Sequence, residues 1–448
     1  MRENEPSRGW EGELEHWLAP FLSALGREAQ RRWAPVYLKG LILPGERKGV
    51  EPLAARVAPG STEQLHHFIG GSPWATAPLE AVLAGEADAL VGGPEAVLVI
   101  DDTALPKQGK HSVGVARQCC GCLGKRANCQ VLVSLTLARG EVPVPVGLRL
   151  FLPAEWTADP GRCARAGVPE AHRRQLAKPE IALEEVDRII AAGVRFGRVL
   201  ADAGYGAGAA FRRGLSARGL LWAVGVLKVQ NVYPAAVGLL WPTTARGRPR
   251  KHPVPSEAPI AAEAALAGAA WRRIAWRHGT KGPLAAEFAA VRVRPAEGEQ
   301  LRNGRHLPGE EVWLVGERRA SGERKYYLSN LAADAPLEEL AATIKARWVC
   351  EQAHQQLKDE LGLDHFEGRS WRGLHHHALL CRLAFAFLQH LRLGGKKRRH
   401  PARAWATAPA EPARRPAACP GRAHPRPAAL PLLPAALRTS PPTLNVPE

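Results

Sequence analysis

A short run of apolar residues that ends in two adjacent acids constrains the fold of this chain most. The run is Ala96–Ile100, which reads AVLVI, and Asp101 and Asp102 follow it directly. A continuous apolar run of this length is typical of a strand buried on both faces, and such strands belong to sheets covered by helices on both sides. The sequence therefore favours an α/β fold.

The following segments continue this pattern in a defined order. The predicted elements are strands at 96–100, 131–137 and 144–152, a helix at 179–192, a strand that ends at Asp202, a helix at 207–217 and a strand at 221–226. The turn residues Arg139-Gly140-Glu141 favour a hairpin between the second and third strands. This order of elements, three strands followed by helix, strand, helix and strand, predicts one mixed sheet with helices packed on it.

The charge of the chain narrows the choice of partners. Its 448 residues include 61 Lys and Arg against 43 Asp and Glu, which gives a formal net charge of +18. Such an excess favours an anionic partner, usually nucleic acid, although a solvated basic surface explains it equally well. The sequence has no apolar stretch long enough for a bilayer and no secretory signal, and its eight cysteines form no disulfide scaffold. We therefore expect a cytoplasmic protein with no membrane partner.

Acidic residues stand at the ends of two predicted strands. Asp102 and Asp202 each end an apolar strand of the same predicted sheet, so their side chains can converge at one edge. Converging carboxylates repel one another unless a cation neutralises them, and their oxygens suit a hard divalent ion such as Mg²⁺. A single Asp at a strand end often caps a turn instead. Two at one edge indicate a metal site of the kind that serves phosphoryl transfer.

A third carboxylate comes from Glu351 on a predicted late helix. Arg347 lies four residues before it and Lys358 seven residues after it, which puts the three side chains along one helical stripe with His354 between them. The alternative interpretation is a solvated helix face on which Arg347 and Glu351 form an ordinary ion pair.

These residues resemble the DDE insertion-sequence transposases. The order of Asp102, Asp202 and Glu351 is similar to that of the three acids of this family. Arg347, Glu351 and Lys358 fall at the spacing of the Arg, Glu and Lys in its Tyr-Arg-Glu-Lys signature.

Longer blocks narrow the resemblance. The segments GLILPGERKGVEPLA, DDTALPKQGKHSVGVARQ and RWVCEQAHQQLK resemble the insertion-sequence group numbered seven hundred and one. The likeness extends from about Leu38 to Arg392, and the blocks occur in the expected order. One departure is Ile344, which stands where the signature has Tyr.

The resemblance implies an RNase H-like catalytic core whose three acids bind two Mg²⁺ ions, with Mn²⁺ as an alternative. It implies that water cuts the DNA at the ends of the element and that the freed 3′-OH attacks the target DNA, without a covalent protein intermediate. Arg347 and Lys358 would hold phosphates. A homodimer would bring together the terminal inverted repeats of double-stranded DNA, in a protein associated with the bacterial nucleoid. The alternatives are a metal-dependent endonuclease without strand transfer and a catalytically dead DNA-binding remnant.

The expected organisation has five parts. They are a helical N-terminal DNA-binding region (1–92), the first part of the RNase H-like core (93–227), a mostly β insertion (228–335), the C-terminal helices of the core (336–393) and a disordered basic tail rich in Pro and Ala (394–448).

Further basic residues are candidates for DNA contact. Lys107 and Lys110 lie in a loop-rich stretch after Asp102, and Arg246 and Arg248 resemble a short hook for a narrow minor groove. Solvated basic loops are the alternative in both places.

Three other choices rest on short patterns. Asp102 is preferred over Asp101 as the first acid because it matches the Asp-Thr pair of the motif. The four cysteines between 119 and 129 lack the paired spacing of a zinc site. The run at 375–377, three histidines, is predicted to lie on a helix surface without a metal.

Overall fold

The computed structural model describes residues 9–241, 253–279, 282–301 and 306–399, with side chains to residue 394. The chain begins with helices, as the spacing of its apolar residues predicts. They are α1 (Trp10–Ser23), α2 (Glu28–Ile42), α3 (Val50–Val57), α4 (Thr62–His66) and α5 (Thr76–Val91). Leu18, Tyr37 and Leu83 are among the side chains that these helices bury, so the helices share a core rather than lying separately on the surface.

The central sheet follows in the predicted order. Its elements are β1 (Val97–Pro106), β2 (Ala116–Cys120), β3 (Lys125–Arg139), β4 (Val142–Leu150), α6 (Ala154–Thr157), α7 (Pro160–Arg165), α8 (Lys178–Ala191), β5 (Arg198–Ala201), α9 (Ala203–Gly206), α10 (Ala209–Ala217) and β6 (Trp222–Val226). The spatial order is β4-β3-β1-β5-β6. Strand β3 is antiparallel to β1 and β4, whereas β1, β5 and β6 are parallel. This arrangement confirms the expected α/β class with an RNase H-like core.

The segment after β6 continues the same sheet. It contains β7 (Asn231–Pro234), β8 (Leu239–Leu240), β9 (Val254–Pro255), β10 (Ile260–Ala261), α11 (Ala262–Ala265), β11 (Arg272–Gly279), β12 (Gly282–Gln300), β13 (His306–Pro308), β14 (Val312–Arg318) and β15 (Arg324–Ser329). Strand β15 pairs antiparallel with β6, and β14, β12, β7 and β10 follow outward. The insertion is therefore mostly β. Most of its strands belong to the sheet of the core, whereas β8 and β9 pair with each other in a separate two-stranded sheet.

The last helices cover both the sheet and the N-terminal bundle. They are α12 (Leu337–Lys345), α13 (Trp348–Asp359) and α14 (Trp371–Arg399). Helices α12 and α13 share an apolar cluster with Val99 and Leu200, which point to one face of the sheet. Leu98 and Ile100 point to the opposite face, on the side of α8. The alternation of side chains along β1 thus separates two packed layers.

Two local features differ from the expectations. Strand β2, which pairs with the start of β3, has a mostly polar sequence that gave no strand signal. The prediction that His375, His376 and His377 lie on a surface is wrong, because α14 is covered by the N-terminal helices on one side and by β4 on another. His377 forms a hydrogen bond of 2.9 Å with the hydroxyl of Tyr37, and His376 stacks on Trp74. Polar residues in a helix are buried here because each imidazole finds a partner.

A buried ion network joins α14 to the sheet and to α5. The guanidinium of Arg382 donates to Glu80 at 2.6 Å, and Arg149 on β4 donates to the other oxygen of Glu80 at 2.8 Å. Arg149 also donates to Glu185 on α8 at 2.6 Å. Burial alone would raise the pKa of Glu80, but Arg382 and Arg149 hold it well below its ordinary value.

Replacement of Glu80 with Gln should therefore lower the free energy of unfolding by about 3–5 kcal/mol, because the buried guanidinium of Arg382 loses its counter-charge and Arg149 loses one of its two acidic partners. Since the folded pKa of Glu80 is depressed, this stabilisation is present above its ordinary pKa of 4.5 and is lost as the pH falls below it. Denaturant unfolding across pH measures both effects. Glu86→Gln, on the same helix but outside the network, is the control, and an equal effect of the two variants would contradict the prediction.

Candidate active site

Parallel pairing of β1 and β5 brings their acids to one edge of the sheet. Ile100 is paired with Ala201, and the next residues along the two strands are Asp101 and Asp202. Asp101 lies on the side of α12 and α13, where its neighbour on β3 is Ser134. The parallel pairing therefore places Asp101, rather than the predicted Asp102, next to Asp202 in the register of the two strands.

The loop that carries Asp202 has a rigid form. The Asp202 carboxylate caps α9, accepting hydrogen bonds from the backbone N–H groups of Gly204 at 2.9 Å and Tyr205 at 3.3 Å. Gly206 lies so close to β6 that a Cβ atom would approach the carbonyl oxygen of Gly225 to 2.2 Å. The sequence Asp-Ala-Gly-Tyr-Gly thus suits a tight turn packed against the sheet.

Arg347 links the third acid to the first. Its guanidinium donates to the carboxylate of Asp101 at 2.6 Å and also to that of Glu351, one turn later on α13. The side chain of Glu351 is 54% exposed, whereas that of Asp101 is only 14% exposed. Asp101 therefore lies at the largely buried end of the cluster, and Glu351 lies at its solvent-exposed end.

The charges of this cluster influence one another. Burial raises the pKa of Asp101 to about 7, Arg347 opposes the rise, and the negative charges of Asp202 and Asp102 add to it. Burial would lower the pKa of Arg347, but Asp101, Glu351 and Asp202 together hold it above its ordinary value. Asp101, Asp202 and Glu351 therefore all act on the positive charge of one half-buried side chain, Arg347.

Asp102 points to the other face of the strand. It forms an ion pair of 2.5 Å with Lys178 at the start of α8, and its side chain is 33% exposed. The hydroxyl of Tyr205 lies between the two faces and donates to the backbone carbonyl of Asp101 at 3.3 Å. The structure thus brings Asp202 and Glu351 together with Asp101, while Asp102 remains at the same edge but on the opposite side of β1.

A group of buried polar side chains lies behind Asp101 and was not predicted from the sequence. The hydroxyl of Ser134 donates to the carbonyl of Asp101 at 3.2 Å and lies 2.7 Å from Nε2 of His354. The same nitrogen lies 3.5 Å from Sγ of Cys350. His354, which was placed on the exposed stripe of its helix, is buried instead. The sequence feature that could have indicated this buried group is the spacing of one helical turn between Cys350 and His354, on the helix that carries Glu351.

The predicted DNA-contacting residues differ in their surroundings. Lys107 donates to the carbonyl of Phe366 at 2.5 Å, and burial lowers the pKa of its ammonium group. Lys110 is exposed, and Lys358 is half-buried near the end of α13. Arg246 and Arg248 lie outside the described residues.

The donor set at the edge fits hard divalent cations. Asp101, Asp202 and Glu351 offer carboxylate oxygens, with Asp102 close by, and Mg²⁺ and Mn²⁺ prefer such ligands. The raised pKa of Asp101 indicates negative charge that a bound cation would relieve.

Comparison with known proteins places the chain in a family. A family model described as DDE superfamily endonuclease matches residues 20–283, which is more than half of the chain. The chain belongs to this family, as its motifs led us to expect. The matched span includes Asp101, Asp102 and Asp202 and ends before Glu351.

One sequence relative and one solved structure are also similar to the chain. The chain is 29% identical over 167 residues to a protein of Microchaete diplosiphon named "Probable transposase for insertion sequence element IS701". This match covers 37% of the chain and 41% of that relative, so it spans about two fifths of the relative's length. A solved structure of the piggyBac transposase synaptic complex with hairpin DNA covers 88% of the chain and 74% of its own, at 10% identity and a TM-score of 0.41. Among the described helices, none is long and apolar enough to cross a membrane.

Replacement of Asp101 with Asn should change how stability depends on pH. Because the pKa of Asp101 lies at about 7 in the folded chain, above its ordinary 3.8, the wild type loses stability relative to the variant as the pH rises through this interval. Thermal unfolding of both proteins in a chelator, from about pH 4 to about pH 8, measures the difference. Added Mg²⁺ or Mn²⁺ should then raise the midpoint of the wild type, at high pH, more than that of the variant.

The control is Asp359→Asn, which removes an exposed acid at the end of α13. A stability difference between wild type and Asp101→Asn that stays constant over the whole pH range would contradict the raised pKa.

Proposed function

We propose that this chain is a DNA transposase that cuts the ends of its own insertion element and joins the 3′-OH ends to target DNA by metal-dependent phosphoryl transfer. The observation that carries the proposal is the meeting of acids from β1, from the end of β5 and from α13 at one edge of an RNase H-like sheet. Membership in the DDE superfamily endonuclease family and similarity to a probable insertion-sequence transposase support it.

The acids would hold two Mg²⁺ ions, or Mn²⁺ in their place. Asp202 and Glu351 are two of the ligands, and β1 offers Asp102, which matches the motif, and Asp101, which faces the other two acids. Bound ions supply Lewis-acid activation of the attacking oxygen and neutralise the charge on the leaving oxygen. We favour Asp101 as the first ligand because it shares the face on which Asp202 and Glu351 lie.

The chain's own groups would position the DNA. Arg347 has a planar guanidinium that suits a phosphate, and it lies between Asp101 and Glu351, beside the phosphodiester that would react. Lys358 lies two turns after Glu351 on α13, where its ammonium group would contact a neighbouring phosphate. We also propose a homodimer that synapses two element ends on double-stranded DNA, acting at the bacterial nucleoid in the cytoplasm.

The test is incubation of the full chain with DNA that carries the element's terminal inverted repeats, in Mg²⁺, with cleavage and joining scored separately. Asp202→Asn and Glu351→Gln should each reduce both steps on the order of a thousandfold or more, because a metal ligand is lost. Asp359→Asn should leave both unchanged. Asp101→Asn and Asp102→Asn identify the first ligand, since only the true ligand should match the loss seen in Asp202→Asn.

The outcomes separate the alternatives. Cleavage without joining would indicate an endonuclease that lacks strand transfer. Repeat-specific binding with neither step would indicate a catalytically dead remnant, and full activity of Asp202→Asn would refute the proposed site.

The basic side chains have a separate test in the salt dependence of DNA binding. Lys358→Ala and Lys110→Ala should each reduce the slope of log K against log salt by about 1, if each ammonium neutralises one phosphate. Lys107→Ala should do the same only if its ammonium, which donates to the carbonyl of Phe366, also reaches the DNA. Arg218→Ala is the charge-matched control because Arg218 is paired with Asp187 at 2.6 Å. A slope that changes equally in the control would assign the effect to net charge.

A further inference from the structure

We propose that Asp101, Cys350 and His354 form a second metal site that takes a thiophilic divalent ion such as Zn²⁺. One ligand atom from each residue lies within 4.8 Å of the other two. Cys350 and His354 are one turn apart on α13, with Sγ and Nε2 3.5 Å from each other, and Asp101 reaches them from β1. Modest side-chain movement would bring these three atoms to the spacing of ligands around one ion.

The chemistry of the donors selects the ion. A thiol, an imidazole and a carboxylate form the mixed sulfur, nitrogen and oxygen set that Zn²⁺ and Co²⁺ prefer, whereas Mg²⁺ takes oxygen ligands. Three protein ligands leave a fourth position for water or for Oγ of Ser134, which already lies 2.7 Å from Nε2 of His354. Binding releases the thiol proton of Cys350 to solvent.

The site shares one acid with the proposed catalytic cluster. Asp101 is hydrogen-bonded to Arg347, so an ion on Asp101, Cys350 and His354 competes with that guanidinium for the carboxylate. The proposed catalytic cluster then lacks Asp101, the acid of β1 that shares a face with Asp202 and Glu351. Those two acids stay in place. Zn²⁺ is therefore an inhibitor that acts at low concentration against excess Mg²⁺. This last step rests on the proposed function, whereas binding of the ion does not.

A second pair in the chain provides a matched comparison. His377 and Cys381 on α14 are also one turn apart and buried, with Nε2 and Sγ 3.4 Å from each other. Within the described residues, however, the group of Asp101, Cys350 and His354 is the one that gathers three such ligands. The carboxylate from β1 is what distinguishes a metal site from a cysteine and histidine in contact.

The experiment is titration of the full chain with Co²⁺ alone, read by the thiolate-to-cobalt charge-transfer absorption in the near ultraviolet. All proteins carry Cys122→Ser, because the thiols of Cys120 and Cys122 lie 3.3 Å apart and could themselves bind the probe. We expect a saturable band that Zn²⁺ removes and excess Mg²⁺ does not. Cys350→Ser should abolish the band, and His354→Gln should weaken Co²⁺ binding by at least about tenfold. Cys381→Ser should change neither.

An absent band, a band that survives Cys350→Ser, or equal losses in Cys350→Ser and Cys381→Ser would overturn the site. A role for His354 as a hydrogen-bond partner of Ser134 alone predicts the first of these results. In the cleavage assay, Cys350→Ser should keep Mg²⁺-dependent activity and need at least about tenfold more Zn²⁺ for inhibition. If no protein cleaves DNA, the proposed function fails, while the cobalt spectrum still decides whether the metal site exists.

Discussion

The half-buried guanidinium of Arg347 is hydrogen-bonded to both Asp101 on the strand and Glu351 on the helix. Carboxylates gathered at one edge repel one another, and the burial of Asp101 adds to that cost. Arg347 supplies a compensating positive charge from the start of α13 itself, through hydrogen bonds to Asp101 and Glu351. The apolar contacts of α12 and α13 position these helices on the sheet, and Arg347 then joins Asp101 to Glu351 across them.

The insertion is coupled to the second acid through another arginine. Arg212 on α10 is buried and donates both to the carbonyl of Gly206, at the end of the helix that Asp202 caps, and to Glu297 on β12. Strand β15 adds a continuous ladder of backbone hydrogen bonds to β6. Because both contacts reach the edge that carries the acids, we expect the insertion and the carboxylate cluster to move as one unit.

The orientation of the acid on β1 shows where sequence reasoning reaches its limit. The run Ala96–Ile100 predicted a strand buried on both faces, and the strand is there. A run that is apolar on both faces has no alternation, so it does not indicate whether Asp101 or Asp102 shares a face with Asp202. The motif favoured Asp102, whereas the layer formed by Val99 and α13 puts Asp101 beside Arg347. His354 was misplaced for a related reason, since a polar residue in a helix is predicted to face solvent unless its partner is known.

The sequence by itself determined the order of the main strands and helices, the place of Asp202 directly after β5 and the helix that carries Glu351. These features follow from local periodicity and from the spacing of motifs along the chain. The prediction that Asp102 ends its strand was wrong, because β1 continues to Pro106. Only the tertiary structure decided which face each acid occupies, that Arg347 is shared by two of them, and that Cys350 and His354 lie behind Asp101. Such relations depend on contacts between residues far apart in the chain, as with Asp101 and Arg347, which are separated by 246 positions. The local sequence pattern cannot predict those contacts, because they form only when the helices pack on the sheet.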